Sequence, residues 1–317
     1  MKLGLYSITY AGIWYKGRPL SVEEVIQRAK KFGYEGVEID GKRPHGFPLD
    51  WSDAERKRIR ELARSEGIEI IGVAGNNNFT SPFDEDRENE LLMLSEQIRL
   101  CRDLGGKIVR IFLGWKRITR VNGIATYDIP SKYAIDGAHP GPDATMLQRW
   151  NWSKECLKEG VAIAKKHGVV LALQNHHPFI MHSRNTYDDM LDMVREVGSE
   201  NLKCSLDCGL LKQQDDEAVS LAVRETGSLQ VISHFFAEFG RDPSGRAVQT
   251  PIRGFDWPMI NYPAFVKALK GIGYRGYMSF EFCHTALSEN HEVLGMERID
   301  QEAELAREYM SDLISSK

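Results

Sequence analysis

The chain has 317 residues, 42% of them hydrophobic, and a net charge of −4 with a pI of about 6.2. That is enough for one large domain, expected to run over 1–317, and the acidic balance argues against nucleic acid, which is held by Lys and Arg neutralising phosphates. The N-terminus MKLGLYSITY lacks the long apolar core of a signal peptide, and no run reaches membrane-spanning length, so a cytoplasmic protein is expected.

In chain order, eight short apolar runs read as strands: KLGLYSI, EGVEID, IEIIGVAG, KIVRIFLG, VVLALQN, LKCSLDC, QVISHFF and GYMSFEF. Amphipathic helical segments separate them at 21–32, 52–66, 86–104, 147–167, 185–197, 214–226 and 257–272, and a last helix covers about 292–315. Ser21 with Glu24, and Ser52 with Glu55, have the spacing of a capping box. Most helical segments end at a glycine that can turn the chain into the next strand, and FGYEGVEI (32–39) is echoed in IGYRGYMSF (272–280). Eight strand–helix units predict a (β/α)8 TIM barrel. The alternative, an open doubly wound sheet, usually has a GxGxxG turn after its first strand, and YSITYAGIW has none. One long irregular segment, 115–146, follows the fourth strand and is rich enough in Trp, Tyr, Ile and Pro to form an ordered lid. The five cysteines show no framework spacing and read as reduced thiols; CxxxC at Cys204 and Cys208 is a weak metal or disulfide signal.

In such barrels the reactive groups sit at the C-terminal ends of the strands, and inward side chains alternate with a period of two. Strands five to eight each end in one metal-capable residue: Gln174, Asp207, His234 and Glu281. Two positions earlier lie Ala172, Ser205, Ile232 and Ser279, three of them small, which leaves room for the polar ring to converge. Oxygen, oxygen, nitrogen and oxygen donors suit one divalent ion, Mn²⁺ first, with Mg²⁺ or Co²⁺ as alternatives, and the lack of thiolate argues against structural zinc. Singly, Asp207 could cap a helix and His234 could be a satisfied core histidine.

With LALQNHH, KCSLDCGL, VISHFF and GYMSFEF in these places, the chain resembles the xylose-isomerase-like barrels, the sugar phosphate isomerase/epimerase superfamily. The resemblance implies a metal set of Glu, Asp, His and Glu, from which Gln174 departs. It also implies that epimerases of the family use both glutamates as bases on opposite faces of the substrate. A glutamine can lend its carbonyl oxygen to an ion but cannot take a proton. The metal site therefore survives the change while the symmetric two-base device does not. His176, two residues beyond Gln174, is the expected second acid/base beside Glu281, and His139 in GAHPG, delivered by the long loop, is a further candidate; His177 is expected to point away.

The chemistry that fits is proton abstraction beside a sugar carbonyl, followed by isomerisation or by β-elimination. The glutamine, the adjacent histidine and the aromatic loop favour elimination. In this respect the chain is similar to the catalytic subunits of C-glycoside deglycosidases, a resemblance that implies 3-oxo-glycoside substrates and a small β-subunit partner. Trp14, Trp115, Lys116 and Arg246 are candidate substrate-binding residues, with Arg117 and Arg241 as weaker ones. Glu38, Asp40 and Asn76–Asn78 are placed to line the far side of the pocket, and Glu238 either to orient His234 or to be exposed. Two other readings compete. A three-metal nuclease is disfavoured by the sparse histidines and acidic charge, and a metal-free sugar- or partner-binding barrel has only Gln174 in its favour.

Overall fold

The structure, a computed structural model, describes residues 1–115, 118–121, 124–126, 144–176 and 186–316. Eight parallel strands close into a barrel: β1 (Lys2–Tyr6), β2 (Gly36–Asp40), β3 (Glu69–Ala74), β4 (Ile108–Ile111), β7 (Val170–Gln174), β8 (Leu202–Ser205), β9 (Gln230–Phe235) and β12 (Tyr277–Phe280). They follow chain order around the ring, and β1 pairs with both β2 and β12 to shut it. Eight α-helices connect them: α1 (Val22–Phe32), α2 (Asp53–Glu66), α3 (Asp84–Leu104), α4 (Met146–His167), α5 (Thr186–Val197), α6 (Asp216–Thr226), α7 (Tyr262–Gly271) and α8 (Met296–Ser315). Among the described residues no helix is long and apolar enough to cross a membrane. None of the five cysteines is in a disulfide, and burial pushes the Cys101 thiol up to about 12, which keeps it inert.

Local chemistry accounts for the boundaries. Both expected capping boxes form, and a third joins Thr145 and Gln148 at the start of α4; each cap is worth about 1 kcal/mol. Strand packing demands one glycine in particular: a Cβ on Gly72 would lie 1.8 Å from the backbone oxygen of Ile108 on the neighbouring strand. Inside the barrel Ile71, Ala172, Ile232 and Tyr277 form a floor, while the main core fills the layer between strands and helices.

Three expectations are corrected. The helix expected from 257 begins at Tyr262, because Pro258 interrupts the pattern and Asn261 caps the helix by accepting from the Ala264 N–H. The last helix begins at Met296 rather than 292, because Ser288–Glu292 folds into a tight turn. An antiparallel hairpin, β10 (Glu238–Arg241) with β11 (Ala247–Thr250), follows β9, where no strand pair was foreseen. It packs on α8, and Arg241 is tied there by Glu308 at 2.8 Å. In the long segment after β4 a small hairpin forms, β5 (Thr119–Val121) with β6 (Ile124–Thr126). Residues 127–143, with His139, lie outside the described residues, as do Lys116, Arg117 and His177.

Candidate metal centre at the strand ends

Asp207 follows β8 by two residues, His234 lies within β9, and Glu281 directly follows β12. Their alternation aims all three at the barrel axis. One ligand atom from each lies within 4.8 Å of the others. His234 Nδ1 is 3.6 Å from Asp207 Oδ2 and 3.9 Å from Glu281 Oε2. Gln174, the last residue of β7, joins them: its amide nitrogen donates to Asp207 Oδ2 and stands 3.2 Å from His234 Nδ1. Asp207 and His234 are fully buried and Gln174 nearly so. Ser205 Oγ and the His234 backbone N–H approach Asp207 Oδ1, the latter at 2.7 Å.

The imidazole is oriented from behind. Its Nε2 lies 2.8 Å from Glu38 Oε2 on β2. A carboxylate can only accept, so Nε2 carries the hydrogen, and the Nδ1 lone pair faces the acid cluster. The Tyr6 ring stacks on the imidazole, with centroids 5.2 Å apart and planes 15° from parallel. The Tyr6 hydroxyl donates to Asp40 Oδ1 at 3.0 Å and accepts from Arg110 Nη2 at 2.9 Å.

This is a site short of positive charge. Burial works to lower the His234 pKa, but Glu38, Asp207 and Glu281 outweigh it and lift the group to about 9. Burial pushes the Glu281 carboxyl up to about 7 and raises that of Asp207 as well, against the pull of His234. Three buried carboxylates around one imidazole are more anion than one proton neutralises.

The donor set fits a divalent ion. His234 Nδ1 and the carboxylates of Asp207 and Glu281 could give three ligand atoms, and the buried Gln174 Oε1 makes no hydrogen bond. Turning the Gln174 amide over would put Oε1 where its nitrogen now touches Asp207 and His234.

The other sequence-predicted residues separate into groups. Trp115 stacks on Phe112 at 4.5 Å, and the His176 ring meets both edge-on, at 5.1 Å and 4.9 Å. Lys42 Nζ stands 5.9 Å over Trp115, so this platform borders the mouth beside Asp40. Trp14 is 2% exposed and sits in the main core, where its ring is enclosed rather than offered as a platform. Arg246 is exposed on the β10–β11 turn and held by Asp242 at 3.4 Å, away from the cluster. Glu238 neither touches His234 nor faces solvent. It is buried against Arg298 at 3.3 Å and His284 at 3.6 Å.

Sequence reasoning placed Glu38 and Asp40 on the far side of the pocket but missed that Glu38 holds His234. It also passed over Tyr6 and Arg110. The available signal was Arg110 itself: a charged residue inside the apolar run KIVRIFLG has to be buried against a partner.

A family model described as Xylose isomerase-like TIM barrel matches residues 26–309. The chain belongs to that family. The chain is also similar to several named proteins. L-ribulose 3-epimerase of Mesorhizobium japonicum is 24% identical over 291 residues, covering 91% of this chain and 84% of that protein. Fructoselysine 3-epimerase of Escherichia coli O157:H7 is 32% identical over 212 residues, covering 65% and 66%. Among solved structures, D-psicose 3-epimerase from Clostridium cellulolyticum with D-tagatose superposes with a TM-score of 0.70 at 20% identity, over 100% of both chains. The IOLI protein with a bound zinc atom superposes with a TM-score of 0.65 at 18% identity, over 99% of this chain and 98% of that one.

Proposed function

We propose that the protein is a metal-dependent enzyme of sugars in the isomerase and epimerase class, moving a proton on a carbon next to a carbonyl. The observation that carries this is the convergence of Asp207, His234 and Glu281 within 4.8 Å at the strand ends, in a pocket that needs a cation. The named activities of the relatives, ribulose and fructoselysine 3-epimerisation, agree with it. Asp207, His234 and Glu281, with Gln174 Oε1 after an amide turn, would hold the ion. When bound, the ion supplies Lewis acidity at a substrate oxygen, and Mn²⁺ suits this donor set best. Glu281 is the proton-moving group: it is the cluster carboxylate that reaches the open end of the barrel, its side chain 14% exposed where Asp207 is fully buried, and a carboxylate can both take and return a proton. Glu38 keeps His234 in one tautomer. His176, set against Trp115 and Phe112, is the candidate for the second proton-transfer position that Gln174 cannot fill.

Gln174 is also the observation at the cluster itself that favours elimination. With no second carboxylate on β7, reprotonation from the opposite face has to come from elsewhere, and a substrate with a β-leaving group would lose it instead. The relatives favour the epimerase reading. The deciding experiment incubates the Mn²⁺-loaded protein in D₂O with a panel of ketohexoses, ketopentoses and 3-oxo-glucosides. NMR then reads both deuterium wash-in and new products. Deuterium on a carbon beside the carbonyl with a new sugar epimer supports the proposal. Release of an aglycone from the glycosides alone selects elimination, and co-purification of a small second subunit would accompany it. Neither product nor exchange from any of them would refute both.

A further inference from the structure

Beside the metal cluster, the ends of β1 to β4 carry a second polar group that the proton-transfer chemistry does not use. Asp40 ends β2 and is fully buried. Its Oδ1 is saturated: it accepts from Tyr6 Oη at 3.0 Å and from Asn76 Nδ2 at 3.1 Å. Its Oδ2 makes no hydrogen bond, and Lys42 Nζ is 3.7 Å away. On the same strand, two residues earlier, Glu38 spends Oε2 on His234, and its buried Oε1 makes no close hydrogen bond, with the Ser279 hydroxyl as the neighbouring donor.

A buried carboxylate oxygen left without a donor costs more than a typical hydrogen bond returns. Two such oxygens at alternate positions of one strand, both on the inward face, form a strip of acceptors. Arg110 does not answer it: Nη1 goes to the Gly75 carbonyl, Nη2 goes to Tyr6, and the guanidinium lies over Phe112. A strip of acceptors calls for hydroxyl donors. Two buried carboxylates, with Lys42 3.7 Å from one of them and the nearby Arg110 already spent on Gly75 and Tyr6, disfavour a phosphate.

We infer that Asp40 is the specificity-determining residue of this site, its Oδ2 accepting a hydroxyl of a neutral, unphosphorylated sugar at the end remote from the metal ligands. Tyr6 sets that separation, since its ring stacks on His234 and its hydroxyl holds Asp40. Lys42 stands between Asp40 and the Trp115 platform, 3.7 Å from the carboxylate and 5.9 Å from the ring centroid. The inference rests on the reading of the protein as a sugar-binding enzyme and adds which part of the sugar is read, and by which atom.

The test is a binding cycle on the Mn²⁺-loaded protein. Calorimetry first finds the ketohexose that binds best among fructose, psicose, sorbose and tagatose. It then compares that sugar with its mono-deoxy analogues and its phosphate ester. In the wild type one distal deoxy analogue should bind about tenfold or more weaker than the parent, and the ester weaker still. Asp40→Asn replaces the acceptor by a donor. It should bring the parent and that analogue within about twofold, with metal content and melting temperature unchanged. If Asp40→Asn is unstable, Asp40→Ser carries the same comparison. Equal discrimination in wild type and variant, or tight binding of the ester, would overturn the role of Asp40 while leaving the sugar reading intact. A wild type that binds none of the four sugars removes the sugar reading itself, and this inference with it.

Discussion

Glu38 Oε2 stands 2.8 Å from His234 Nε2, joining the second strand of the barrel, β2, to the seventh, β9, across its axis. The contact fixes which imidazole nitrogen keeps its hydrogen and so which one can meet an ion. Glu38→Ala should leave the fold intact and weaken divalent-metal affinity by about 10- to 100-fold. Chelator competition measures this directly. Unchanged affinity would mean that the histidine needs no such support.

Gln174 and Asp207 make opposite predictions at the same cluster. Asp207→Ala should abolish bound metal in elemental analysis. Gln174→Glu adds a charge where an amide now touches Asp207 and should hold metal at least as tightly. Adding Mn²⁺ at about one hundred times its Kd should stabilise the wild type by about 2.7 kcal/mol and Asp207→Ala not at all. If Gln174→Glu and Gln174→Ala both retain metal as the wild type does, Gln174 is not a ligand.

Away from the site, Arg298 serves two buried glutamates. Glu238 opposes burial with His284, the Arg253 N–H and Arg298, and its pKa falls. Burial dominates at Glu302, despite Arg298 and the Phe239 N–H, and lifts it to about 8. A carboxyl raised on folding binds its proton more tightly in the folded chain. Its contribution to stability is therefore full below the ordinary pKa of 4.5 and lost as pH rises toward about 8. Glu302→Gln should flatten the fall in melting temperature between those values. Parallel wild-type and variant curves would show that Arg298 keeps Glu302 ionised throughout.

Gly72 is the tightest point of the strand packing. Gly72→Ala drives a Cβ to 1.8 Å from the Ile108 oxygen, where only backbone movement relieves it. A loss of about 3 kcal/mol or more is expected in urea unfolding. A loss under about 1 kcal/mol would mean that β3 and β4 separate without cost.

The barrel was legible because each strand is a short apolar run between helical patterns. The convergence of Asp207, His234 and Glu281 was legible because reactive groups gather at strand ends and side chains alternate. What escaped was of two kinds. The β10–β11 hairpin is only four residues per strand, too short for alternation to show, though DPSG between EFGR and AVQT is a turn signal. The partnership of Glu38 with His234 leaves no local trace, because only closure of the ring brings the two together. Arg246 and Trp14 show how loosely a strand-end position fixes a residue's surroundings. Lying after a strand end does not by itself put a residue in the mouth: a hairpin carries Arg246 outward, and packing encloses Trp14.

Closure of the ring by β1 against β12 also sets a timetable for synthesis. Glu38 and His234 are 196 residues apart, and Glu281 comes later still. A nascent chain on the ribosome therefore has its imidazole without its last ligand until nearly the whole polypeptide has emerged. If the cluster holds an ion as proposed, loading would be a late event, after ring closure, and a chain cut short before its final strand would lack Glu281 for it.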